Sequence, residues 1–202
     1  MHKGRLEAFS DGVIAIIITI MVLEMKVPHG ASLSDLRPLL PVFLSYVLSY
    51  LYIGIYWNNH HHHLHAAKQV TGGVLWANLH LLFWLSLMPF ATGWMGENHF
   101  APVPTALYGV DLLMAANAFA LLQRAIVAAD GPSSALARAV GSDRKGLVSR
   151  LAYLLAIPTA LWIPWLAMCV FAGVALMWFV PDRRVERELQ TFDSTHREAG
   201  TT

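Results

Sequence analysis

"FSDGVIAIIITIMVLEM", residues Phe9–Met25, places Asp11 directly before twelve uncharged residues and Glu24 directly after them. Extended to Arg5–Lys26, the stretch is 22 residues long. As a helix it spans about 33 Å at roughly 1.5 Å per residue, enough for a hydrocarbon core of about 30 Å. A carboxylate drawn into such a segment costs about 2.5 to 3.5 kcal/mol, and acids in that position face other helices and find partners there. On a helical wheel Ile16, Ile20 and Leu23 share one stripe, with Thr19 beside it. Asp11 lies about 140° from Ile16 on the same wheel, so the acid and the stripe face different surroundings. Arg5 precedes Asp11 by six positions, about 120° around the helix, a poor geometry for a pair within one helix. The partner of Asp11 is therefore expected on another helix.

The rest of the chain explains why that helix belongs to a membrane. Of 202 residues, 56% are hydrophobic and 13% charged, with a mean hydropathy of +0.49, too apolar for a soluble domain of this size. Long uncharged or nearly uncharged runs follow at Leu39–Trp57, Val70–Gly96 and Leu151–Val180. The fold class expected is an all-α membrane protein with six spans, at about 5–26, 38–57, 74–94, 105–123, 149–162 and 164–180. The last two come from dividing a run that is too long for one crossing, near Trp162–Trp165, where Pro158 and Pro164 offer breaks. With six spans, twelve of the fourteen Lys and Arg residues fall on one side, leaving only Lys26 and Arg37 on the other. That bias puts both termini in the cytoplasm, and residues 183–202 then form a polar cytoplasmic tail. Asp11, and the lack of a small-residue cleavage site before Pro28, argue that the first helix is retained. Scattered basic residues give no case for nucleic acid. Cys169, alone and in apolar surroundings, reads as a buried inert thiol.

Candidates to receive Asp11 lie in "WNNHHHHLH", Trp57–His65, at the cytoplasmic end of the second span and level with Arg5–Asp11 if the two spans run antiparallel. A network of Arg5, Ser10, Asp11 and one or two of His60–His63 is geometrically open. His60 with His63, and His61 with His65, share helix faces, but no Cys or carboxylate nearby completes a tetrahedral metal set. A solvated interfacial cluster is the plainer reading, and its protonation near neutral pH offers a route to pH-coupled gating. Asp111, early in the fourth span, is expected to cap or to bond within the bundle. Asn78 and His80 are expected to bridge helices, and Trp57, Trp94, Trp162, Trp165 and Trp178 to anchor at the interfaces. Glu24 and Glu97 are expected at the non-cytoplasmic ends of their spans.

"RLEAFSD", Arg5–Asp11, resembles the RxxxFSD signature of the transmembrane protein 175 family of potassium channels. So do "AIIIT" (Ala15–Thr19), "WNNHH" (Trp57–His61), Asn78, "PF" (Pro89, Phe90), "YG" (Tyr108, Gly109), "IPWLA" (Ile163–Ala167) and "PDRRVE" (Pro181–Glu186), which together cover nearly the whole chain. The resemblance implies a passive cation channel of the prokaryotic cell membrane, modestly selective for potassium over sodium. It implies a homotetramer whose first helices line the pore, with Ile16, Ile20 and Leu23 as hydrophobic constrictions and Thr19 next to the narrowest ring. Potassium is then the permeant ion, lipid and other copies of the chain are the partners, and no cofactor or bound metal is implied. Arg5, Phe9, Ser10 and Asp11, with His60 and His61, would form the structural network of the motif. Asp11→Asn is then expected to weaken the tetramer more than it alters selectivity. No TVGYG-type loop exists to coordinate ions through backbone carbonyls. The competing reading is a proton or metal-ion transporter using Asp11 and the His60–His65 cluster. An enzyme finds no support, since no nucleophile, base and orienting group converge at readable spacing.

Overall fold

The structure, a computed structural model, describes residues 3–140 and 143–179; the "PDRRVE" stretch and the tail at 183–202 lie outside them. Seven α-helices account for most of the described chain: α1 (Lys3–Leu23), α2 (Leu40–Ala66), α3 (Gly72–Glu97), α4 (Pro102–Asp130), α5 (Ala135–Val140), α6 (Arg144–Trp162) and α7 (Pro164–Phe179). A 3₁₀ helix, Leu33–Leu39, leads into α2. By length and composition, α1, the Leu33–Ala66 segment, α3 and α4 are long and apolar enough to cross a membrane. The last two helices are shorter, at 19 and 16 residues.

The helices overrun the apolar windows because a helix continues until its backbone finds a stop, not until its side chains turn polar. α2 has 27 residues, about 40 Å, and carries the histidine run on its last two turns. It ends where the Ala67 N–H bonds back to the carbonyls of His63 and Leu64. Thr71 then caps α3 by accepting from the Val74 N–H. Pro102 and Pro104 open α4 in the first turn, where no N–H is missed, and Gly131 closes it at φ 91°, a conformation suited to glycine. Asp130 ties this end down by accepting from the Lys68 and Gln69 N–H groups at 2.8 and 3.1 Å. Pro158 sits inside α6 without ending it, whereas Pro164 starts α7 just after Ile163 leaves helical geometry.

α3 is the central post, packed against α1, α2 and α4, while α6 and α7 pack on α4. Leu81, Leu85 and Met88 of α3 are fully buried there. The α2–α3 crossing is close: a Cβ on Gly96 would stand 2.4 Å from the Ser45 hydroxyl and 2.7 Å from the Val42 Cα. Because backbone cannot rotate aside, Gly96→Ala is expected to force the helices apart and destabilise by about 1 to 3 kcal/mol, read as a lowered melting temperature in detergent.

Composition misplaced one side chain. Cys169 is exposed on α7 rather than buried. Every residue of that helix is apolar or small, so hydrophobicity carries no record of which face turns inward.

Candidate ion pathway

α1 buries one stripe, Leu6, Ser10, Ile14, Ile17 and Met21, at spacings of three and four. This stripe meets α2 and α3. Ile16, Thr19, Ile20 and Leu23 lie on another side of the helix and are exposed, Ile16 at 58% and Leu23 at 78%. Thr19 donates its hydroxyl to the Ile16 carbonyl at 2.9 Å, which leaves the oxygen lone pairs outward. Arg5 and Phe9 continue the exposed side toward the N-terminus. A groove of about 630 Å³ beside the stripe, between α1 and α3, is lined by Ile16, Ile20, Glu24, Phe90 and Trp94 among others. At its rim Lys26 pairs with Glu97 at 2.8 Å, and that hydrogen bond holds the ammonium pKa above its ordinary value.

Behind the stripe a directional hydrogen-bond chain joins three helices. Ser10 donates to the Leu6 carbonyl at 2.9 Å, and Asn78 of α3 donates its amide N–H to the Ser10 oxygen at 2.9 Å. The Asn78 carbonyl oxygen can only accept, so His60 of α2 carries its proton on Nε2 and donates to it at 2.6 Å. Ser10, Asn78 and His60 are all at most 1% exposed. Asp11 turns off this line and accepts from the Trp57 indole N–H at 3.0 Å.

The expected network thus divides in two: Ser10 and His60 meet through Asn78, and Asp11 meets α2 through Trp57. Arg5 and Phe9 are exposed, and Arg5 makes no ion pair or hydrogen bond among the described residues. His61 stacks between Trp57 and His65, with ring centroids 6.2 Å from each. His63 donates to the Asn59 carbonyl at 2.7 Å and packs on Phe119. Among the described residues no three His, Cys, Asp or Glu side chains converge to hold a metal. Two further expectations are corrected. His80 accepts from Trp84 one turn along its own helix, at 3.0 Å, rather than bridging to another. Asp111 neither caps α4, whose cap residue is Ala101, nor bonds within the bundle, since both its oxygens lack a described partner.

The sequence assigned Asn78 a bridge but left it out of the network, and within the Trp57–His65 stretch it singled out the histidines for Asp11 and gave Trp57 the role of an interface anchor. The available signal was an amide in an apolar helix facing a histidine. A second buried network was not foreseen: Tyr52 donates to the Phe171 carbonyl at 2.7 Å and accepts from Tyr153 at 3.1 Å, while Ser49 joins Thr92 and Tyr108. These hydroxyls fix α2, α3, α4, α6 and α7 to one another.

The Asp11 bond revises the mutational expectation. Asparagine keeps an acceptor oxygen for the Trp57 indole, so Asp11→Asn should cost about 1 kcal/mol or less, the difference between a charged and a neutral acceptor. Asp11→Leu removes the acceptor and should cost more, visible as a larger drop in melting temperature than Asp11→Asn gives.

A bundle of long apolar helices, pinned internally by buried hydroxyls and amides, with one helix packed at its edge, defines a multi-pass integral membrane protein. The profile of the endosomal/lysosomal potassium channel TMEM175 family matches residues 5–89. A potassium channel of a Chryseobacterium species is 54% identical over 190 residues, covering 94% of this chain and 99% of that one. The crystal structure of a lysosomal potassium-selective channel TMEM175 homolog from Chamaesiphon minutus superposes with a TM-score of 0.77 at 28% identity, covering 88% of this chain and 96% of that one. The human endosomal/lysosomal proton channel TMEM175 is 34% identical over 96 residues, which cover 41% of this chain and 19% of that protein. The chain belongs to the TMEM175 family of potassium channels. It is a membrane cation channel and not an enzyme.

Proposed function

We propose that four copies of the chain assemble around an axis lined by α1 and pass potassium in preference to sodium, in a cell membrane with both termini cytoplasmic. In this reading all six long helices cross the membrane. Four Ile16 side chains form the narrowest ring, Ile20 and Leu23 continue it, and the Thr19 hydroxyls meet an ion that has lost part of its hydration. A ring of aliphatic side chains resists wetting and strips water from an ion. That step costs less for potassium, the more weakly hydrated ion, so the expected discrimination is modest. The observation that carries the reading is the position of the stripe: it is exposed on a helix whose other side alone packs on its own subunit. One copy cannot close a path around it.

Purified protein in liposomes should release potassium faster than sodium under matched gradients, and light scattering should give the mass of four 22.4 kDa chains. Absence of flux from protein that is correctly assembled defeats the channel reading. A lipid-facing stripe is the rival placement, and thiol chemistry separates the two. In a Cys169→Ala background, Thr19→Cys should react with a charged water-soluble thiol reagent and lose flux on reaction; an unreactive thiol puts the stripe in lipid. Carrier transport through Asp11 and the histidines draws less support, because Asp11 and His60 are held by different partners, Trp57 and Asn78.

A further inference from the structure

The end of the bundle that carries most of the basic residues has a crevice of about 440 Å³ between α4, α5 and α6, away from α1. Gln123 and Arg124 line it from α4, Ala137 from α5, Asp143 from the cap of α6 and Arg150 from α6 itself. Several observations together point to an anion. Arg150 has only 18% of its side chain exposed and lines the crevice from α6. Asp143 pairs with it only loosely, Oδ2 standing 3.6 Å from the guanidinium, longer than a hydrogen bond, while Oδ1 accepts from the Gly146 N–H at 2.9 Å. Arg124 from the facing helix has no described partner, and neither does the amide of Gln123, which is only 8% exposed. The start of α6 adds the positive end of a 19-residue helix dipole.

Orientation in the membrane requires only that basic residues lie on this side. It does not require two arginines from different helices to line one cavity in which Asp143 is the single carboxylate among the described lining residues. We propose that this crevice binds a phosphate-bearing anion, with Arg124 and Arg150 as the two guanidinium clamps and Gln123 as a further donor. Guanidinium groups match phosphate oxygens in geometry and charge, and the crevice lies within two helical turns of the C-terminal end of α4 and the N-terminal end of α6, on the side that the excess of basic residues assigns to the cytoplasm, where anionic lipids carry their charge. The same chemistry fits the head group of an anionic lipid and inorganic phosphate.

Native mass spectrometry of the intact full-length protein, offered phosphatidylglycerol or phosphatidylcholine at equal concentration, tests the lipid source. Phosphatidylglycerol should be retained about tenfold more strongly, a difference of about 1.4 kcal/mol. Arg124→Gln should reduce it to the phosphatidylcholine level. Ala128→Glu, at an exposed lining position, should do the same by adding a second carboxylate, and it serves if the arginine variant fails to give a homogeneous sample. Arg37→Gln, exposed at the other end of the bundle, should leave retention unchanged. Melting curves in inorganic phosphate against chloride at equal ionic strength test the other source: a stabilisation by phosphate that Arg124→Gln abolishes assigns the site to the free anion. Equal retention of the two lipids with no phosphate shift overturns the proposal. Retention of phosphatidylglycerol by both crevice variants at the level of the unmodified protein does so as well.

Discussion

Ile16→Asn should bring the reversal potential measured between potassium and sodium solutions close to that of a pore with no preference, while conductance rises. The reasoning runs through hydration. Ile16 carries a branched aliphatic side chain that is exposed, and in the proposed tetramer it recurs in each copy around the axis. An apolar ring offers no oxygen in exchange for the water an ion leaves behind, so the barrier at the ring scales with the cost of dehydration, and that cost separates sodium from potassium. An asparagine amide supplies both an acceptor oxygen and donor N–H groups at the same height. It solvates either ion, wets the constriction and removes the difference on which discrimination depends. Thr19→Val, one turn away, should act more weakly, because it removes hydroxyl oxygens whose lone pairs face outward but leaves the Ile16 ring unchanged. An Ile16→Asn variant that keeps the reversal potential of the unmodified channel would show that selection occurs elsewhere.

The first helix was the most legible part of the sequence, because it alone has a sharp contrast of polarity within one turn. Ser10 and Asp11 directly precede an aliphatic run, and the wheel separates Asp11 from the stripe of Ile16, Ile20 and Leu23 on geometry alone. That separation holds in the structure, where Ser10 is buried and Ile16 exposed. The partners of the motif were harder to read, since they lie on other helices, and the pairing of helices depends on packing that one sequence does not encode locally. Asp11 bonding to Trp57, rather than to Arg5 or a histidine, is such a case. α7 is the opposite extreme. Its apolar composition runs all the way around, so neither the burial of Phe171 nor the exposure of Cys169 leaves a trace in hydropathy. The helix and the expected span are also different things: α2 runs nine residues past Trp57 to Ala66, because backbone hydrogen bonding continues through the histidines after the apolar window stops.

Asn78→Leu should be the most damaging single change to the bundle. Asn78 is fully buried and satisfies two groups at once: it accepts from the His60 ring and donates to the Ser10 hydroxyl. Leucine has similar bulk but no polar atom. The His60 Nε2–H then loses its acceptor in a dry setting, an orphan worth about 1 to 3 kcal/mol. Ser10 fares better, because its hydroxyl still donates to the Leu6 carbonyl and loses only an incoming bond. The total expected loss is about 2 to 4 kcal/mol, large against a domain's usual margin of 5 to 15 kcal/mol. A paired change separates the broken network from the altered packing. His60→Leu combined with Asn78→Leu removes donor and acceptor together, so the double variant should melt above the Asn78→Leu single variant, a sign opposite to additivity. Because the chain runs from α2 through α3 to α1, the same loss should loosen the helix that carries Ile16. Thr19→Cys in the Asn78→Leu background should therefore show altered thiol reactivity even below the melting transition. Additive destabilisation in the double variant would mean that Asn78 contributes through its shape and not through the bonds it makes.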